Sequence, residues 1–245
     1  MTITANDIPV WIDPQDSECR FPDVSLALTE PNGLLAIGGN LSPQCLLNAY
    51  EQGIFPWYNA GQPVLWWCPD PRSVLFPDEI KISRSLKKTI NKNVFTITLD
   101  SVFTQVIEAC AGTRPGASGT WITREMKNAY CQLFELGFAH SVETWFDDKL
   151  VGGLYGVAMG GAFFGESMFY RQRDASKVAF CWLARQLDAW GYRLIDCQIS
   201  SQHLASLGAR EISRREFCRL LPEALGQPGQ SAPWHFDAGF NPNLS

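Results

Sequence analysis

No run of apolar residues in the 245-residue sequence is long enough to span a bilayer, for which a helix needs about 20. The N-terminus, MTITANDIPVWIDPQDSE, lacks the basic stretch followed by an apolar one that marks a secretory signal. Both absences lead to the expectation of a cytoplasmic protein without a membrane partner. Metal-site spacing is missing too. Histidine occurs three times, at 140, 203 and 235, and the eight cysteines (19, 45, 68, 110, 131, 181, 197, 218) contain no C-x-x-C pair. No metal is expected, and several cysteines set in apolar runs read as reduced core thiols. No internal repeat or low-complexity segment occurs. Positive charge is in deficit: 20 Lys and Arg against 25 Asp and Glu leave a net charge of −5, which alone speaks against nucleic acid.

What is present is an ordinary globular composition rich in aromatics, with nine Trp and fifteen Phe. The length suffices to bury a core, as one large domain or two smaller ones. The distribution of charge outranks its sum. Lys81, Arg84, Lys87, Lys88 and Lys92 gather in one short segment, and Arg84, Lys87 and Lys88 share one helix face. On pattern alone this is a solvated face.

The most informative stretch runs from Leu150 to Gln198. Strands are expected over Lys149–Met159 and Gly161–Tyr170, joined at Gly160-Gly161. A helix follows from about Ala175 to Trp190, stopped by Gly191, and then a strand over Arg193–Ile199. Strand alternation puts Leu194, Asp196, Gln198 and Ser200 on one face. A carboxylate and an amide in an apolar strand are costly to bury without partners. They are a structural pair or a reaction centre. Glu166 shares a strand face with Met168 and Tyr170, and pattern alone makes it a structural ion pair. Phe180, Leu183 and Leu187 form one helix stripe, a pattern that is far more often core than pocket.

Upstream, residues 1–29 read as an irregular lead-in with a short strand near Val10–Ile12. Ser42 or Asn40 can cap a helix over Pro43–Gln52 that ends at Gly53. Pro69 and Pro71 rule out a continuous central strand in VLWWCPDPRSVL. A boundary falls there, giving an N-terminal domain over 1–72 and a larger one over 73–245. Ser83 caps the basic helix, Phe95–Leu99 is a strand, and Asp100 or Ser101 caps a helix over Ser101–Ala111. Gly112–Gly119 reads as a mobile loop, Thr123 caps a helix over Arg124–Leu136, and a hairpin turns at Asp147-Asp148. Arg210, Arg214, Arg215 and Arg219 lie in a second basic helix capped by Ser213, favoured as a solvated surface. From Pro222 onward the composition loosens, and the last residues, AGFNPNLS, are expected to be poorly ordered.

The segments FPWY, LWWCPDPR, GTWITR, GGLYG, FFGESMF, DASK and LIDCQ, in that order, resemble the leucyl/phenylalanyl-tRNA–protein transferase family. The resemblance runs from about Glu30 to Glu216. It implies an α+β fold, with a small N-terminal domain and a C-terminal domain resembling GCN5-related acyltransferases, its mixed sheet flanked by helices. It implies transfer of Leu or Phe, and less well Met, from aminoacyl-tRNA to the α-amino group of proteins beginning with Arg or Lys. Such transfer marks them for degradation by the N-degron route. The ester is already activated, so no cofactor, ATP or metal is implied, and a monomer is expected.

The resemblance makes Asp196, Gln198 and Glu166 catalytic candidates. By that likeness Gln198 contacts the attacking amine, Asp196 polarises the network and Glu166 complements the cationic acceptor. A positional role for Asp196 and Gln198 is the alternative, with the ribose hydroxyl or water carrying the proton. Trp57 becomes a wall of the tRNA 3′-end site, and Trp121 a stacking surface for the terminal adenine. Met168, Phe180, Leu183 and Leu187 become donor-pocket candidates. Arg84, Lys87, Lys88 and Lys92 become tRNA-acceptor-arm contacts. One rival is a CoA-dependent N-acetyltransferase, but the loop Arg171–Lys177 has no glycine to bring backbone amides to a pyrophosphate. Another is a non-catalytic binding module, against which the intact Asp196, Gln198 and Glu166 speak.

Overall fold

The computed structural model describes residues 8–112 and 122–242. Two sheets organise them. The first has the order β1-β2-β4-β3, from β1 (Val10–Ile12), β2 (Leu34–Gly38), β3 (Phe55–Pro56) and β4 (Leu65–Trp67). The second has seven strands in the order β11-β5-β10-β9-β8-β7-β6. Its members are β5 (Arg72–Leu75), β6 (Thr96–Leu99), β7 (Ala139–Phe146), β8 (Lys149–Met159), β9 (Ala162–Tyr170), β10 (Leu194–Gln198) and β11 (Arg210–Ile212). All its neighbours run antiparallel except β9 and β10, so the sheet is mixed. The expected α+β class and the strand–strand–helix–strand order of the C-terminal half are both found.

Helices cover both faces of the large sheet. On one side α3 (Phe103–Ala111), α4 (Arg124–Glu135) and α7 (Arg214–Leu225) share a core with α1 (Pro43–Glu51) and the small sheet. On the other, α2 (Arg84–Asn91) and α5 (Ala175–Ala189) share a second core. Alternation along β8 divides its side chains accordingly: Leu154 joins the second core, while Tyr155 and Val157 join the first. Gly152 lets α5 lie directly on β8, because a Cβ there would come within 2.6 Å of the Ala175 Cβ.

The expected caps at Ser42, Ser83, Thr123 and Ser213 each accept a backbone N–H in the first turn of their helices. The helix α3 differs. It starts at Phe103 after Val102 and has no side-chain cap. Asp100 is diverted: its carboxylate takes the Ser141 N–H, the His140 ring and the Trp234 N–H.

That last contact anchors the segment beyond α7. Trp234 is fully buried and stacks on His140 at 3.6 Å. Asp237 then accepts from Gln186 and Trp190 on and just beyond α5. Buried aromatic area and paired polar groups hold the tail to the sheet. Arg210 likewise precedes the second basic helix, on β11, where it pairs with Glu79 and stacks on Phe76. Cys19 and Cys45 are joined by a disulfide that the reading of reduced thiols omits, because the lead-in folds back across α1.

Candidate functional site

The large sheet splits between β9 and β10. These strands pair only where Leu194–Asp196 face Ala162–Phe164. The strand β9 runs on to Tyr170, but β10 bulges: Asp196 faces Val74 and Gln198 faces Ser73, leaving Cys197 as an extra residue. A bulge bends its strand and re-aims the side chains around it. Gln198 is left-handed, with φ of 61°. The strands part, and a cleft of about 1240 Å³ opens between them. A second irregularity lies across the gap. Tyr155 faces Ser167 and Gly156 faces Gly165, so Glu166 is the extra residue on β9. Each strand is irregular at the residue it brings to the cleft.

Glu166 is buried and lines the cleft. Its Oε1 accepts from the Tyr50 hydroxyl at 2.8 Å and the Gln198 side-chain amide at 2.8 Å, and its Oε2 from the Tyr130 hydroxyl at 2.7 Å. The two hydroxyls lie 2.7 Å apart. Three oxygen contacts thus close a ring that contains two hydroxyl hydrogens when the carboxylate is ionised. The carboxyl proton would supply the third. Its three hydrogen-bond partners are all neutral, and burial pushes Glu166 up to about 7 against the pull of these donors.

Asp196 is matched the opposite way. It is fully buried and does not line the cleft. Arg72, 1% exposed on β5, grips it with both prongs, Nε to Oδ1 at 2.8 Å and Nη2 to Oδ2 at 2.6 Å. The guanidinium lies against the rings of Phe55 and Phe217, at 4.8 and 4.5 Å. The remaining Oδ1 capacity takes the Gln198 backbone N–H at 2.9 Å. Breaking such a buried pair from one side costs about 3–5 kcal/mol. The bulge also corrects the strand reading, since regular alternation stops at Asp196. The contact from Gln198 to Asp196 is made by backbone, and the Gln198 side chain goes to Glu166.

Of the apolar candidates, Met168 and Phe180 line the cleft. Leu183 and Leu187 do not, and both are fully buried in the core beneath α5. They share the stripe with Phe180, but the helix climbs about 10 Å between 180 and 187, which carries the stripe past the cleft. Trp57 lines the cleft wall, is 42% exposed, and packs on Trp67 with ring centres 5.8 Å apart. Trp121 lies outside the described residues. Arg84 and Lys88 on α2 and Lys92 beyond it are exposed and Lys87 is half-buried, and none lines the cleft. Among the described residues no group of three or more His, Cys, Asp or Glu is placed to hold a metal.

Sequence reasoning passed over Tyr50, Tyr130 and Arg72. The two tyrosines come from helices α1 and α4, with no local signal linking them. Arg72 did carry one: a lone arginine at the head of an apolar strand needs a buried acid, and LIDC holds a lone aspartate. Glu108, exposed on α3, is a second carboxylate on the cleft wall.

An apolar cleft in a split sheet, floored by a near-neutral carboxyl and an amide, is built for proton-coupled transfer of a group to a nucleophile. The relatives make the class specific. Residues 39–70 match the leucyl/phenylalanyl-tRNA protein transferase N-terminal domain, and residues 74–222 match the leucyl/phenylalanyl-tRNA protein transferase domain. A leucyl/phenylalanyl-tRNA–protein transferase of Nitrosomonas eutropha is 60% identical over 90% of this chain and 94% of its own length. One of Pseudomonas fluorescens is 55% identical over 91% and 98%. The chain belongs to the leucyl/phenylalanyl-tRNA–protein transferase family. Among solved structures, a GCN5-related N-acetyltransferase from Kribbella flavida aligns with a TM-score of 0.39 and 10% identity, over 67% of this chain and 58% of that one.

Proposed function

We propose that the cleft joins the aminoacyl group of Leu- or Phe-tRNA to the α-amine of proteins beginning with Arg or Lys. The observation that carries this reading is the Glu166–Gln198 contact on the floor of an apolar cleft whose wall presents an exposed tryptophan. Membership of the family makes the chain an aminoacyltransferase acting from tRNA to protein.

The amine nitrogen attacks the ester carbonyl, the bond to the ribose oxygen breaks, and an amide and a free ribose hydroxyl result. An α-amine has a pKa near 8, so roughly a tenth is neutral at pH 7. The reaction needs that amine positioned and its proton received. The Gln198 amide suits positioning. Glu166, pushed up to about 7, suits the proton. The exposed Glu108 on the cleft wall suits the cationic side chain of the acceptor better than Glu166 does. Leu154, Phe163, Met168 and Phe180 line an apolar slot for the donor side chain. A methylene in such a slot is worth about 1–3 kcal/mol, so leucine, phenylalanine and some methionine enter. Trp57 offers a stacking face to the tRNA end, and Arg84, Lys87, Lys88 and Lys92 a basic face to its acceptor arm. The working form is a cytoplasmic monomer.

The test is transfer of labelled leucine from Leu-tRNA to a protein with N-terminal Arg, beside the same protein with N-terminal Ala, by wild-type enzyme and Gln198→Ala. Label on the Arg protein alone, lost in the variant, is expected. Absence of label with wild-type enzyme, or acylation from a CoA thioester instead, would overturn the reading.

A further inference from the structure

Arg72 does not itself line the cleft, yet the polar chain that runs back from the Gln198 backbone ends on it. Its fork holds Asp196 through both oxygens. Asp196 in turn holds the backbone N–H of Gln198, at a residue whose left-handed φ of 61° is unfavourable for a side chain larger than glycine. That backbone bond fixes the bulge, and the bulge aims the Gln198 amide at Glu166, 2.8 Å away. The guanidinium itself is fixed between the rings of Phe55 and Phe217. Its third nitrogen, Nη1, is buried without a hydrogen-bond partner. A side chain kept there with one whole nitrogen unmatched is held for the two bonds it does make.

We infer that Arg72 is a positioning residue for aminoacyl transfer: it locks Asp196 so that the bulge sets Gln198 against Glu166. The inference rests on the transfer reaction proposed above. It gives Asp196 a positional part as well. With both oxygens occupied by a guanidinium and a backbone N–H, Asp196 does not meet substrate, and the proton passes on the Glu166 side. A guanidinium matches a carboxylate with two parallel N–H bonds, and an ammonium cannot reproduce that geometry.

The experiment compares wild type, Arg72→Lys, Asp196→Asn and the double variant. Transfer of leucine to an Arg-terminal protein by wild-type enzyme is measured first, so failure of the reaction itself is seen separately. Arg72→Lys keeps the buried charge, and its folded fraction is followed by thermal unfolding. The expected result is a kcat lowered about 10²-fold per folded molecule, the size of effect that an ångström of misplacement brings. KM for Leu-tRNA stays unchanged, and the side-chain amide resonance of Gln198 shifts in the NMR spectrum. The double variant should lose no more than Asp196→Asn alone, because both changes undo one lock. A merely structural arginine would lower Tm while kcat per folded molecule held. That outcome, an unshifted Gln198 amide, or losses that multiply in the double variant would each overturn the inference.

Discussion

Asp196 and Glu166 are buried carboxylates in one hydrogen-bonded chain, joined through Gln198, and the protein matches them in opposite ways. Asp196 meets a permanent cation in a bidentate grip with no view of the cleft. Glu166 meets two phenols and an amide, all neutral, and looks into the cleft. A guanidinium grips its partner with two parallel N–H bonds and a fixed charge. Neutral donors offset only part of the desolvation, so Glu166 is left near 7. One carboxylate is thereby tied to a cation away from the cleft, and the other is left beside the cleft among neutral donors. The comparison teaches that motif membership does not assign the proton. Asp196 and Gln198 stand together in LIDCQ, but the carboxyl that burial raises to about 7 beside the cleft lies on the neighbouring strand.

The sharpest way to break this contrast is Glu166→Gln. General acid–base catalysis contributes about 10²–10⁴-fold, so transfer should fall by about three orders of magnitude while Leu-tRNA still binds. Stability should move the other way. The folded value, about 7, lies above the ordinary 4.5, so the folded state binds the proton more tightly than the unfolded chain. The stabilisation from that proton is complete below pH 4.5 and is lost as pH rises through 7. The span corresponds to roughly 3 kcal/mol. Urea unfolding at pH 5 and pH 8 should show wild type losing this stability relative to Glu166→Gln. A variant that transfers normally would place the proton elsewhere.

How much of this was legible beforehand follows from the range of each interaction. The strands and the capped helices rest on local patterns, and local patterns are written in the chain; Glu166 and Gln198 became candidates through the family resemblance of FFGESMF and LIDCQ. Alternation failed at Cys197 because a bulge is set by the partner strand, through the Asp196–Val74 and Gln198–Ser73 register. The stripe on α5 could not say which turn faces a cavity, so Leu183 and Leu187 were counted with Phe180. Tyr50 and Tyr130 are separated from Glu166 by 116 and 36 residues, and no spacing rule relates them to it. The anchors beyond α7, Trp234 and Asp237, were not legible because the loose composition around them carries no local pattern that points to His140 or α5.

A smaller effect sharpens the contrast from within. Tyr130→Phe removes one neutral donor from Glu166 and leaves the Arg72–Asp196 pair intact. The hydroxyl serves the ionised carboxylate with a charge-assisted bond, about twice as strong as the neutral bond it makes to the protonated form. Its loss should therefore raise the Glu166 value, by about one unit. The acid limb of kcat against pH should move from near 7 toward 8. At pH 7 that is about a fivefold loss, recovered when the assay is run at pH 9. An unmoved limb would detach Glu166 from the profile.

The smallest expected effect is the most discriminating. Glu143, on β7, is a third buried carboxylate matched by neutral groups: the Ser141 and Thr98 hydroxyls and the Ser101 N–H. Burial raises its pKa too. If neutral matching alone made a carboxylate catalytic, Glu143 would qualify, but it does not line the cleft. Glu143→Gln should alter the pH dependence of unfolding in the same direction as Glu166→Gln and leave kcat and its pH profile unchanged. The pair of variants separates the two conditions for function. A raised pKa needs only burial without a cation, whereas a reaction also needs the open side that the split between β9 and β10 provides. A fall in kcat for a folded Glu143→Gln would mean that the sheet passes the charge state of β7 to the cleft, and the contrast between Glu166 and its surroundings would have to be redrawn across the whole sheet.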